Sequence, residues 1–349
     1  MEVNGCLSGV SGARSEVPQG TVLGPLLFVI FITDIDAGML STKIASFADD
    51  TRIMKEIRTG TDCEELQTDL EKMYFWVHQN NMMLNDGKFE VLRYGNHPME
   101  EKTYKTPDGM DISFMRSVKD LGIEVQADAK FTEHIDKIVN KCRRQIGWIL
   151  RTFTTREPEP MLTLYKALVV PIAEYCCQLW CPVAVGQIAS IEGIQRTFTS
   201  RIAGLQNYNY WERLKKLSLY SLQRRRERYV IIYVWKIIQG LAPNFQREDL
   251  RIRTHGEESR LGRRCQLPPL VRSGEGSLRD RSFSVTGPKL FNELPATLRE
   301  FSGSLDAFKR RLEKFLEGID DRPPLPGYVS AAGGNSIVQQ LAHSRAQTL

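Results

Sequence analysis

The stretch I-A-S-F-A-D-D-T-R-I-M, residues 44 to 54, limits what this chain can fold into more than any other. Two short runs of strand composition, I-A-S-F and T-R-I-M, flank the adjacent aspartates Asp49 and Asp50, leaving room only for a tight turn. The spacing predicts a β-hairpin with the acidic pair at its tip. Asp is a common turn former, so the pair taken alone reads first as a turn. The other reading is a metal site, with two hard oxygen donors fixed at a strand junction. The surrounding sequence has to decide between them.

Around the hairpin, residues 1 to 127 read as mixed α/β. V-P-Q-G-T-V-L-G-P carries the Pro and Gly of a loop and leads into L-L-F-V-I-F-I, where periodicity does not separate a buried helix from a strand. Thr61 and Glu64 have capping-box spacing before a helix in which Leu66, Leu70, Met73 and Val77 form an apolar face. N-D-G is a turn, K-F-E-V-L-R-Y is strand-like, and a second strand pair is expected from I-S-F-M and V-K-D-L-G-I-E-V.

Residues 131 to 245 read as a helical bundle. Ile135, Ile138, Val139, Cys142, Ile146, Ile149 and Phe153 make one face, with Lys137, Lys141, Arg144 and Arg151 opposite. Ile188, Ile191, Ile194, Phe198, Ile202 and Leu205 make another stripe, and L-Q-R-R-R-E-R-Y opens a last helix whose charged run reads as a helix face. From 246 to 349 the chain is expected to be loop-rich, with partly disordered composition over 251 to 282 and a short amphipathic helix at F-K-R-R-L-E-K-F-L.

Charge sharpens the division. Residues 1 to 130 hold 13 Lys+Arg against 21 Asp+Glu, a balance of −8; the remainder hold 34 against 21, a balance of +13. A basic body beside an acidic segment fits a polyanion-binding surface next to a metal-binding one, and fits equally a solvated basic surface. The longest early apolar run, P-L-L-F-V-I-F-I, is too short to span a bilayer, and no signal peptide is evident. The seven cysteines follow no zinc or disulfide spacing, so buried reduced thiols in an intracellular protein of the nucleus or cytoplasm are expected.

Four blocks occur in a fixed order: V-P-Q-G-T-V-L-G-P-L-L-F, F-A-D-D, W-V-H-Q-N-N-M-M-L-N-D-G-K and V-K-D-L-G-I-E-V. Together they resemble the palm of reverse transcriptases from LINE-type (non-LTR) retrotransposons. The helical segment, with L-Y-K-A-L-V-V-P-I-A-E-Y-C, and the ending with G-P-K-L-F-N-E-L-P resemble the thumb-side and C-terminal regions of the same elements. The implied fold is α+β: an incomplete polymerase palm of antiparallel hairpins with packed helices, then a helical bundle and a loop-rich C-terminal segment.

The resemblance implies RNA-directed DNA polymerase chemistry, with an RNA template, a DNA primer, a dNTP and Mg2+ ions in a two-metal site. It makes Asp49 the main metal-binding carboxylate and Asp50 its partner. It sets Phe47 and Ala48 beside the primer terminus, and Gln19 and Gly20 against nucleotide and template. Lys88 falls near the departing pyrophosphate, and Leu121 and Gly122 in the primer-gripping hairpin. A loop Gly, a surface Lys and a turn Gly are each common without such roles.

The sequence departs from that pattern in two places. The family's third carboxylate lies on a strand several dozen residues before P-Q-G, and only sixteen residues precede Val17 here. Glu16 also stands where the pattern has glycine, putting a carboxylate and a less permissive backbone at a loop meant to approach nucleotide. The expectation is a fragment with little or no polymerase activity alone. The competing readings are a non-catalytic remnant whose basic helices hold RNA or an RNA–DNA hybrid, and the product of a silent element copy.

Overall fold

The computed structural model describes residues 2–3, 6–7, 21–95, 103–182, 184–242, 250, 282–325 and 334–346. Gln19, Gly20, Glu16, Cys265, nearly all of the 251–282 loop and the P-G-Y near the end lie outside the described residues. The chain divides into two compact units, Met1–Arg116 and Ser117–Leu349. Small sheets and many helices make it a mixed α+β protein.

In the first unit, β1 (Glu2–Val3) pairs antiparallel with β2 (Cys6–Leu7). The ambiguous apolar run folds as helix α1 (Gly24–Ile32), with Pro in its first turn, where a missing N–H costs nothing. β3 (Lys43–Phe47) and β4 (Asp50–Met54) form the expected hairpin. Helix α2 (Gly60–Gln79) carries the core of this unit: Leu70, Met73, Trp76 and Val77 are buried and Leu66 packs partly against them. Its capping box lies two residues earlier than the Thr61–Glu64 spacing predicts. Thr59 is the N-cap and Asp62 closes the box, its carboxylate accepting from the Arg58 and Thr59 backbone N–H groups at 2.9 and 2.6 Å. Both pairs share the three-residue spacing, and the earlier one wins because Asp62 also satisfies the N–H groups outside the helix.

A one-turn 3-10 helix at Asp86–Lys88 leads to β5 (Glu90–Leu92), with β6 (Tyr104–Lys105) and β7 (Asp111–Met115) completing a sheet in the order β5-β7-β6. I-S-F-M therefore pairs with K-F-E-V-L-R-Y, parallel, and not with V-K-D-L-G-I-E-V as the sequence reading expects. The latter closes on itself as β8 (Ser117–Asp120) and β9 (Ile123–Gln126), because Leu121-Gly122 supplies a complete two-residue turn.

The second unit begins with that hairpin. Helix α3 (Thr132–Thr152) buries Ile135, Ile138, Val139, Cys142, Ile146 and Ile149, and leaves Lys137, Lys141, Arg144 and Arg151 exposed, as the periodicity predicts. α4 (Pro158–Leu168), α5 (Val170–Glu174), α6 (Val185–Thr199) and α7 (Tyr210–Lys216) surround it, and α8 (Leu222–Ile238) links one apolar cluster to a second. α9 (Phe283–Asn292), α10 (Ala296–Arg299), α11 (Leu305–Glu317) and α12 (Ile337–Ala346) build the second cluster, with Trp235 stacked on Phe308 at 4.6 Å. Among the described residues no helix is long and apolar enough to cross a membrane. The six described cysteines are all free, but only Cys63, Cys142 and Cys177 are buried as expected, Cys6, Cys176 and Cys181 being exposed; burial pushes the Cys142 and Cys177 thiols up to about 12, which keeps them protonated.

The R-R-R-E-R run of α8 is not a solvated face. Arg224, Arg226 and Glu227 are buried, Arg225 makes a two-pronged ion pair with Glu174, and Arg228 reaches Glu313 at 2.7 Å. Periodicity missed this because arginine reads as a surface residue unless partners for its donors are known. The start of α8 is tied to the chain's last described segments. Ser221 donates from its backbone N–H and its Oγ to Asp321 at 2.6 and 2.7 Å, and the Arg224 guanidinium donates to the Asp320 carbonyl at 2.8 Å.

Two carboxylates lie inside this unit. Glu192 accepts from the Tyr210 hydroxyl at 2.6 Å and the Gln223 N–H at 2.7 Å; Glu227 accepts from the Ile337 N–H at 3.0 Å. Burial lifts both carboxyls to about 7 against the pull of those hydrogen bonds. Above the unfolded value of about 4.3 the unfolded chain gives up its protons first, so this contribution to stability falls as pH rises from there to about 7. Glu192→Gln keeps the shape without the charge. Its thermal midpoint is expected to gain on the parent's steadily between pH 5 and 7.5. A constant difference across that range would show that Glu192 does not titrate there. The comparison cancels the buried His134, which burial holds below the usual histidine range and which acts in the opposite sense.

Candidate active site

The hairpin register is Lys43↔Met54, Ile44↔Ile53, Ala45↔Arg52, Ser46↔Thr51 and Phe47↔Asp50, leaving Ala48 and Asp49 as a two-residue turn. Side chains alternate across a strand, so the pairs fall on two faces. Ile44 and Ile53 pack against the core of the first unit, on the face shared with Ser46 and Thr51, whose hydroxyls meet at 3.1 Å. Phe47 and Asp50 belong to the opposite face, away from the core, with Phe47 66% exposed. Ala48 has φ 51°. A non-glycine residue held left-handed costs about 1–2 kcal/mol, so the rest of the hairpin has to hold this turn in place.

The hairpin is anchored through a residue that the sequence reading does not single out. Asp69 of α2 is fully buried and accepts from the Leu40 N–H at 2.9 Å, the Ser41 and Thr42 N–H groups at 3.3 Å each, and the Thr42 hydroxyl at 2.9 Å. Lys72 lies 3.5 Å away. Burial alone would lift this carboxyl; the four hydrogen bonds outweigh it and hold it below the usual range. Asp69 thereby fixes the loop that feeds directly into β3. The signal available in the sequence is an aspartate beside Leu70, on the apolar stripe between Leu66 and Met73. A second tie comes from Lys55, whose ammonium bonds both Ser41 and Glu65.

Lys88 lies exposed at the end of the 3-10 turn, whose Asp86 accepts from the Tyr74 hydroxyl of α2 at 2.9 Å. Phe47, Ala48, Asp49, Asp50 and Lys88 are thus all carried by the first unit, the first four on one hairpin. Leu121 and Gly122 form the β8–β9 turn of the second unit, with φ 43° and 86°. Positive φ at both positions is the signature of a type I′ turn, which suits Gly122 and strains Leu121.

Asp49 and Asp50 are exposed carboxylates one residue apart, hard donors of the type that binds Mg2+ together with substrate phosphate oxygens. They fit part of a metal site. Among the described residues no group of three His, Cys, Asp or Glu side chains converges as a complete one.

Comparison with known proteins bears on this geometry. Residues 2–125 match the family model "Reverse transcriptase (RNA-dependent DNA polymerase)". The chain is 27% identical over 218 residues to the RNA-directed DNA polymerase from mobile element jockey of Drosophila funebris, covering 59% of this chain and 24% of that protein. It is 26% identical over 203 residues to the probable RNA-directed DNA polymerase from transposon X-element of Drosophila melanogaster, covering 54% and 22%. It is 23% identical over 239 residues to the corresponding protein from transposon BS of the same organism, covering 63% and 26%. These alignments run beyond the span of the family model, and the chain spans about a quarter of the length of these curated relatives. No solved structure matches it significantly. Part of this chain is therefore a reverse transcriptase domain, related to those of the non-LTR retrotransposons jockey, X-element and BS.

Proposed function

We propose that this chain carries part of the machinery of RNA-directed DNA synthesis, with Asp49 and Asp50 as carboxylates that hold Mg2+ against nucleotide phosphate. The observation that carries this reading is the hairpin: Asp49 in its two-residue turn and Asp50 at the start of β4 stand adjacent at the exposed end of a strand pair, one face of which is packed on the core. A bound divalent ion supplies charge neutralisation at the reacting phosphate. The chain's own residues do the positioning. Asp69 and Lys55 hold the hairpin base, Phe47 offers an exposed ring beside the tip, and Lys88 offers a cation for a departing pyrophosphate. Gln19 and Gly20, outside the described residues, keep the nucleotide- and template-binding role that the family resemblance implies, and Leu121 with Gly122 that of the tip that grips the primer.

A second reading is favoured by α3. Lys137, Lys141, Arg144, Trp148 and Arg151 recur at steps of three and four on its exposed side, with Trp148 45% exposed among four cations. That combination of charge and a stacking ring suits a nucleic-acid backbone with unpaired bases. On this reading the chain holds RNA or an RNA–DNA hybrid without chemistry.

Primer extension on an RNA template separates the two. Two carboxylates supply only part of a two-metal site, so the 349-residue chain is expected to extend slowly in Mg2+. Fusing it behind a palm segment that contributes a third carboxylate is expected to raise the rate at least about 100-fold, on the scale of a several-kcal/mol electrostatic contribution. Tight hybrid binding with no extension in either form would leave only the binding reading.

A further inference from the structure

We infer that Tyr175, held in place by Trp180, is the residue that positions the Leu121–Gly122 hairpin tip and so sets where that tip meets a primer strand. The last clause rests on the primer-grip reading proposed above; the positioning itself rests on geometry within the second unit.

The Tyr175 hydroxyl donates to the Leu121 carbonyl at 2.9 Å across 54 residues of sequence. Its ring touches the turn, with Cε1 3.6 Å from where a Cβ on Gly122 would be. That is ordinary van der Waals contact, so the turn needs glycine there for its φ of 86° and not to make room for the ring. The strain is concentrated at this contact. Leu121 is left-handed on one side of it and Cys176, with φ 48°, on the other. Two non-glycine residues in that region next to one hydrogen bond mark a geometry that the surroundings impose.

Those surroundings converge on Trp180, which is buried. Its indole N–H donates to the Tyr175 carbonyl at 2.8 Å. Its ring takes the His134 ring edge-on at 4.9 Å, and His134 Nδ1 accepts the Glu124 N–H of β9 at 3.2 Å. The tip and the following strand of the same hairpin are thus both referred to one indole. From behind, Arg226 stands 5.1 Å from the Trp180 ring centre and donates to the Ala173 carbonyl at 2.9 Å, while Arg225 clamps Glu174, the residue before Tyr175. This gives the inward-facing arginines of α8 a purpose beyond packing: they fix the turn that bears Tyr175.

Tyr175 is 49% exposed, so Tyr175→Phe removes one hydroxyl at the surface and leaves the core intact. Two measurements on the full chain test the inference: amide hydrogen exchange over residues 117–126, and photocrosslinking of that segment to a DNA primer with a 3′-terminal 4-thiothymidine, annealed to RNA. The variant is expected to exchange about fivefold faster at the tip, the scale of one lost hydrogen bond, with α3 and α6 unchanged, and to crosslink less there. Trp180→Phe, which keeps an aromatic ring but loses the pyrrole half of the indole with its N–H, is expected to loosen the same amides, and the double variant is expected to loosen them no further than the larger single effect. Should Trp180→Phe fail to fold, Tyr175→Phe decides alone. Unchanged exchange at the tip in Tyr175→Phe overturns the positioning role. Faster exchange with undiminished crosslinking leaves the positioning standing and overturns the primer-grip reading.

Discussion

Asp49→Asn is expected to abolish divalent-ion binding at the β3–β4 tip and to lower Mg2+-dependent primer extension, in the chain fused behind a palm segment that contributes a third carboxylate, at least about 100-fold. Asparagine has the size of aspartate and favours the same turn, so the backbone of the Ala48–Asp49 turn stays as it is. What is lost is one negative charge and one oxygen donor. Mn2+ gives a readout that does not depend on catalysis, because a bound paramagnetic ion broadens the resonances of residues 47 to 51 selectively. Broadening is expected in the parent chain and absent from Asp49→Asn. Asp50→Asn is expected to weaken it less, in keeping with the secondary role the family pattern gives that position. Equal broadening in parent and Asp49→Asn would remove the metal reading of the hairpin and return the pair to an ordinary acidic turn.

The second large effect concerns Asp69, which makes no contact with the acidic pair. Asp69→Ala leaves three backbone N–H groups and one hydroxyl without their acceptor beside a fully buried position. Unsatisfied buried donors cost about 1–3 kcal/mol each, but Leu40 and Ser41 are exposed and water reaches their N–H groups, so a loss of about 2–4 kcal/mol from the first unit is expected. Domains are typically stable by only about 5–15 kcal/mol, so a loss of that size shows as an earlier, separate thermal transition. The loop released is the one that enters β3, and Mn2+ binding at the tip is expected to weaken together with stability. Acid acts in the same direction. The folded carboxyl titrates below its unfolded value of about 3.9, so its contribution is complete above that pH and is lost as pH falls through the folded value. The acid sensitivity of the first unit is therefore expected to diminish in Asp69→Asn. Full Mn2+ binding and an unchanged first transition in Asp69→Ala would show that the hairpin does not depend on this anchor.

The elements legible in advance were those whose signal is local. The α3 face from Ile135 to Ile149 is an unbroken 3.6-residue pattern, and the structure buries those residues as the pattern requires. The hairpin around Asp49 and Asp50 is equally local, two strand runs separated by three residues, of which the structure takes Asp50 into the second strand. The capping box of α2 had the right chemistry and the wrong pair, because Thr59–Asp62 and Thr61–Glu64 share one spacing and differ only in what lies before the helix. The partner of I-S-F-M is not local information for a related reason. A strand's composition says that it pairs but not with which strand, and the choice here is settled by the turn at Leu121 and Gly122.

By itself, then, the sequence determined the family of the first 125 residues, the acidic hairpin and the register of the long helices, since each depends on residues close together in the chain. Only the tertiary structure decided that the R-R-R-E-R run faces inward, that Asp69 anchors the hairpin loop, and that Tyr175 reaches back 54 residues to the Leu121 carbonyl. The physical reason is common to all three. A charged or polar side chain is placed by the partners that satisfy its hydrogen bonds, and those partners come from elements that only folding brings together.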